Sequence, residues 1–194
     1  MINEKLLTEI DRIIKTTWLK KIKKDFNENY LYNEDSLKCS FYYHLRKKID
    51  KICRENNLRI YSEITFPEIA SRADIVIAKI SADDKRIYYE DTVALFELKY
   101  TGGTNKNTID WVMNDIKKFK KYFREANLTE TQFYFACIYC EECAYLQWIT
   151  DKRTTNNWAN GRVTELDAGY LNGKIEFEIN SFNDMDNDLN IFYE

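Results

Sequence analysis

Two runs decide the fold: RADIVIAKI, residues 72–80, and TVALFELKY, residues 92–100. Both have strand length and β-branched or aromatic content. Both also carry charges where a buried strand should have none. Strand side chains alternate, so Glu97 and Lys99 share one face and Leu98 takes the other. The second run is apolar on both faces before Glu97, which marks a central strand rather than an edge. A polar turn at residues 81–85 makes the two runs hairpin neighbours, and residues 86–90 can lengthen the second arm.

Upstream, residues 58–66 alternate as a strand closed by Pro67. Before them Leu37, Phe41, Leu45, Ile49 and Ile52 recur at helical spacing, predicting a helix from about Asn33 to Arg54. Residues 4–26 hold another, with Leu6, Leu7, Ile10, Ile13, Ile14, Trp18 and Ile22 on a wide apolar stripe. Downstream, residues 101–108 read as a loop and 109–126 as a helix. Residues 132–139 and 144–149 read as strands, and an Asn-rich polar tail holds one more at 174–179. Residues 184–194 form an acidic end. The expected class is α/β: a mixed central sheet flanked by helices, with an extra N-terminal helix and C-terminal strands. One domain spans 1–194, its core about 30–150 and its C-terminal extension 151–194.

Composition supports one packed domain: 44% hydrophobic residues, 31% charged of mixed sign, one Pro and five Gly. A net charge of -3 argues against a generic polycation, although local charge says more than the sum. No run approaches the roughly 18 apolar residues of a membrane span, and the N-terminus lacks a signal peptide's apolar block. The expectation is a cytoplasmic protein with no membrane partner and with its five cysteines reduced.

The buried charges call for a chemical reason, because an unpaired charge inside a sheet is costly. With the two runs paired, Asp74 lies close to Glu97, and two carboxylates make a hard oxygen site suited to Mg²⁺ or Mn²⁺. The Leu98 carbonyl can add a ligand. Lys99 can position or polarise a water whose pKa the metal lowers. The competing reading is an ordinary Glu97–Lys99 edge-strand ion pair, worth about 0–1 kcal/mol at a surface.

Asp74, a hairpin-length spacer and then Glu97-Leu98-Lys99 resemble the D…ExK signature of the PD-(D/E)xK, or restriction-endonuclease-like, nucleases. The match covers about residues 30–140. The resemblance implies an αβββαβ core, a divalent metal on the acidic pair, a lysine that assists the water, and a nucleic-acid substrate, DNA above RNA. Glu34 resembles the glutamate many members carry near the start of the helix before the first strand. Glu63 resembles an acid on the first strand of some members. Arg72 matches the frequent R-x-D spelling, and Asp115 with Lys118 fills the place of a polar residue on the following helix. Ala73 stands where the signature's proline would, and the usual helix glutamine is missing. A prokaryotic or phage defence setting fits a small stand-alone member.

Several readings compete at these positions. Glu34 also suits the helix dipole, Glu63 and Arg72 a simple salt bridge, and Asp115 and Lys118 a solvated helix face. Lys117, Lys118, Lys120, Lys121 and Arg124 form a basic face that could track phosphates. Tyr42 and Tyr43 suit base stacking or core packing. Cys137, Cys140 and Cys143, with Cys39 or Cys53, have a spacing compatible with a metal or cluster, against which stands plain core packing. A single histidine, His44, gives no basis for a histidine mechanism. The rival from another class is a non-catalytic interaction or inhibitor protein on the same fold. A homodimer or a partner protein fits either reading.

Overall fold

The computed structural model describes residues 4–80, 87–102, 106–142 and 161–181, with the backbone alone for 87–90, 106–109 and 181. Helix α1 (Glu4–Thr17) runs through a π-helical segment, Trp18–Ile22, into α2 (Lys23–Asn27), and α3 spans Glu34–Glu55. Strands β1 (Leu58–Phe66), β2 (Ser71–Ile80) and β3 (Ile87–Thr101) follow. Helix α4 (Lys106–Arg124) then leads to β4 (Gln132–Glu142), β5 (Val163–Leu171) and β6 (Lys174–Ser181).

Helix α3 starts where its sequence says it should. The Asn33 side chain accepts the Ser36 amide at 2.9 Å and Ser36 Oγ accepts the Asn33 amide at 2.9 Å, a reciprocal cap that serves two otherwise orphan donors. This pins Glu34 at the first helical position.

The six strands form one mixed sheet in chain order. Pairs β1–β2, β2–β3 and β5–β6 are antiparallel, whereas β3–β4 and β4–β5 are parallel. Strand β4 shows the layering: Tyr134, Ala136 and Ile138 join the core beneath α1 and α3, while Phe133, Phe135 and Cys137 join the core beneath α4. An apolar residue at every position of a strand is the mark of a sheet covered on both faces.

Three expectations change. Strand β3, lengthened at its start to Ile87 as its sequence allows, also takes in Thr101, and α4 starts at Lys106 rather than 109. Strand β5, which the reading left inside the tail, is an interior strand of the sheet between β4 and β6. Cys137 and Cys140 belong to opposite faces of β4, so the two cannot ligate one ion. The expected turn at 81–85, the strand at 144–149, Cys143 and the acidic end at 184–194 lie outside the described residues. No described helix is long and apolar enough to cross a membrane.

Candidate functional site

The site begins where two strands part. The β2–β3 ladder ends at Ile75↔Phe96. Beyond it β2 keeps its pairing with β1, through Ala73 and Arg72, and β3 keeps its pairing with β4, through Glu97 and Leu98. The Leu98 amide, past the last rung, donates instead to Asp74 Oδ2 at 2.8 Å. One more step of the same register would set Asp74 opposite Glu97. The aspartate is therefore a structural substitute for a missing rung as well as an acid at the mouth of the gap.

The backbone is strained at the same level. Glu63, in the middle of β1, has φ 60°, a left-handed conformation that costs a side-chain-bearing residue roughly 1–2 kcal/mol. Residues before and after it change faces: Ile60 belongs to the α3-side core, Ile64 and Phe66 to the α4-side core. Strand β2 turns with it, since Ile75 lies in the first core and Ala73 in the second. Glu63 is held by Lys38 and by Arg72 Nε at 2.7 Å.

Lys99 ties the two helical layers together. Its Nζ lies 3.1 Å from Glu34 on α3 and 2.9 Å from Asp115 on α4. Lys118 bridges Asp115 at 2.8 Å and Glu97 at 3.0 Å, and the Tyr122 hydroxyl lies 3.3 Å from the other Glu97 oxygen. Lys38 stands 3.9 Å from Asp74. Five carboxylates (Glu34, Glu63, Asp74, Glu97, Asp115) thus face four cations (Lys38, Arg72, Lys99, Lys118). All of them but Glu63 and Lys38 line a cavity of about 330 Å³, whose wall also takes in Ala70, Ser71 and Leu98.

Burial sets the protonation of these groups. Glu97 is 2% exposed, and desolvation pushes its carboxyl up to about 8, with Lys118 opposing and Asp74 adding to the rise. Burial also raises Asp74, against the Leu98 amide. At Lys99 burial works against the charge, but Asp115 and Glu34 outweigh it and hold the ammonium above its usual range. Lys118 is likewise raised, with burial opposing and Glu97 and Asp115 winning. Its side chain is more than a third exposed, so it keeps its proton whether or not Glu97 is ionised.

The structure gathers Asp74, Glu97, Lys99, Glu34, Glu63, Arg72, Asp115 and Lys118, with Leu98 in the wall. It leaves Lys117 and Lys121 exposed on α4, outside the cavity lining. Tyr42 packs against the α3-side core, whereas Tyr43 is exposed. Sequence reasoning missed Lys38, Ser71 and Tyr122. Lys38 was findable, because it stands one helical turn after Glu34 on the same face. Tyr122 packs in the α4-side core, against Phe66, and its hydroxyl also reaches Ser71 at 3.2 Å and Glu97.

Among the described residues no three His, Cys, Asp or Glu side chains converge as a metal cluster. Each carboxylate is instead drawn toward a lysine, an arginine or an amide. Comparison with family models, curated proteins and solved structures finds no match to this chain.

Proposed function

We propose that this protein is a divalent-metal-dependent nuclease that hydrolyses phosphodiester bonds, of DNA before RNA. The observation that carries the reading is the set of Asp74 and Glu97 at the parting of β2 and β3, with Lys99 fixed beside them by acids from two helices. A structural ion pair does not need carboxylates from two opposite helices on one lysine beside a second acidic pair.

The donor set suits a hard cation. Asp74, Glu97 and the Leu98 carbonyl offer oxygen only, and Mg²⁺ is commonly bound through one or two carboxylates while keeping several waters. A converged trio of acids is therefore not required. When bound, Mg²⁺ or Mn²⁺ supplies a lowered water pKa and charge neutralisation at a phosphate oxygen. Lys99 stays protonated, so it donates hydrogen bonds and cannot serve as a base. Its role is to orient the attacking water and balance phosphate charge. Glu34 fixes the ammonium from one side and Asp115 from the other. Lys118 and Arg72 stand at the cavity wall, where phosphate oxygens would meet them.

Plasmid and single-stranded DNA would be incubated with the purified protein in Mg²⁺, Mn²⁺ or EDTA, beside Lys99→Ala. Metal-dependent cutting that disappears in the variant is expected. Folded wild-type protein that cuts neither DNA nor RNA with either metal would overturn the reading.

A further inference from the structure

We propose that the site takes an unpaired nucleic-acid strand, gripped through its bases by Tyr30, Tyr32 and Trp111. This deepens the nuclease reading, and rests on it for the chemistry though not for the binding.

Among the described residues four large aromatic side chains stand in water: Tyr30 at 68%, Tyr32 at 85%, Tyr43 at 58% and Trp111 at 58% exposure. Three of them are close in the chain to site residues: Tyr30 and Tyr32 shortly before Glu34, and Trp111 one helical turn before Asp115. Tyr30 and Tyr32 flank Leu31, whose side chain is buried in the α3-side core and whose carbonyl accepts the Tyr100 hydroxyl at 3.2 Å. The Tyr32 amide donates to Ser36 Oγ at 2.7 Å, next to the Asn33 cap. The segment is fastened on both sides of Tyr32, and Glu34 follows directly, reaching Lys99.

Trp111 approaches from the other layer. It precedes Asp115 by four residues and Lys118 by seven, positions that fall in one line along a helix. Asp115 and Lys118 line the cavity, and Asp115 grips the same lysine as Glu34. Lys99 therefore joins, through Glu34 and Asp115, the segment that carries the tyrosine pair to the helix that carries the tryptophan. Tyr43 is the exception. It is nine residues beyond Glu34, about two and a half turns along and on the far side of α3, and its ring packs on His44 with Lys47 over it.

A flat, apolar face with a polar rim is what a nucleobase covers, and base–aromatic stacking tolerates any sequence. A duplex keeps its bases inside and offers the rings only phosphates and groove edges. The cavity lined by Glu34 and Asp115 also carries Lys99, Lys118 and Arg72, cations suited to the phosphates of a strand whose bases meet the rings.

The test is fluorescence anisotropy with labelled oligo-dT, oligo-U and a duplex of about 12 nucleotides, inside the span such sites cover. Ca²⁺ would fill the site as a hard oxygen-seeking cation. Unpaired strand should bind at least tenfold tighter than duplex. Trp111→Ala and Tyr32→Ala should each weaken that binding about tenfold, with Trp111→Phe and Tyr32→Phe restoring most of it. Both side chains are exposed, so the variants should melt like wild type. The dT and U arms separate a DNA from an RNA source. Equal affinity for duplex, unchanged binding in both alanine variants, or binding to no oligonucleotide would overturn the inference. Trp111-dependent strand binding without any cleavage would overturn the nuclease reading alone. Metal-dependent duplex cleavage indifferent to Trp111 would overturn this inference alone.

Discussion

Strands β3 and β5 carry nearly the same word, Glu97-Leu98-Lys99 and Glu165-Leu166-Asp167, and the sheet sets them level. Glu97 and Glu165 both pair with Phe135 of β4, and Lys99 and Asp167 both pair with Cys137. Glu97, Glu165 and Asp167 are all buried. Yet β3 stands where its neighbour β2 peels away, and lysines from α3, β3 and α4 enter the gap. Strand β5 is hydrogen-bonded along both edges. Asp167 accepts from Asn180 at 3.4 Å, and its Oδ1 has no hydrogen-bond partner. An acid in an apolar strand is thus not a site in itself. What distinguishes the first pair is a break in the ladder that lets lysines reach it.

The widest gap between the two words should appear in activity. Glu97→Gln should lower cleavage by more than about a hundredfold, since even the outer partners of a metal ligand are worth 10–100-fold, whereas Glu165→Gln should change it little. Initial rates under saturating Mg²⁺ decide this, and comparable losses would erase the distinction.

Stability should reverse the order. Burial pushes the Asp167 carboxyl up to about 8, while in the unfolded chain it ionises near about 4. Between those values the folded protein holds a proton that the unfolded chain has lost, so this group makes stability fall as pH rises and level off above the folded value. Asp167→Asn should raise Tm by several degrees at pH 8 and leave it nearly unchanged at pH 4. A Tm loss at pH 8 would show that the carboxylate is paired where the geometry leaves it alone.

Metal affinity should respond more modestly. Lys118 neutralises Glu97 and Asp115, so Lys118→Ala should tighten Mn²⁺ several-fold in calorimetry. Because the Glu97 carboxyl sits near about 8, wild-type affinity should climb as pH approaches that value, with proton uptake by the buffer. Flat affinity from pH 6 to 8.5 would remove Glu97 from the ligand set.

The smallest effect tests the strained strand. Glu63→Ala and Glu63→Gly both lose Lys38 and Arg72, but glycine accepts a φ of 60° freely. The glycine variant should therefore be more stable by about 1 kcal/mol in urea titration. The opposite order would mean that the turn is set elsewhere.

How much of this was legible depended on the element. The β1–β2–β3 order, the α3 cap and the trio Asp74, Glu97 and Lys99 came from spacing and from charge set inside apolar runs. Strand β5 was passed over because Glu165 and Asp167 make VTELDAGYL look like surface, and only the flanking strands bury it. Tyr122 was not legible as a site residue, because its hydroxyl partners, Ser71 and Glu97, lie on β2 and β3.

The sequence by itself determined the periods: where the chain is helix or strand, which face is apolar, and that two acids and a lysine interrupt buried strands. Those follow from local geometry, which repeats within a few residues. Only the tertiary structure decided that β2 and β3 part after Ile75 and Phe96, and that β1 and β2 change faces together at Glu63, although Ile60, Ile64 and Phe66 keep an unbroken alternation in the sequence. It also brought Glu34 and Asp115 onto one lysine from opposite layers. These are relations among segments as far apart as α3 and α4. Their energies come from packing and from charges meeting across the sheet, which no local pattern records.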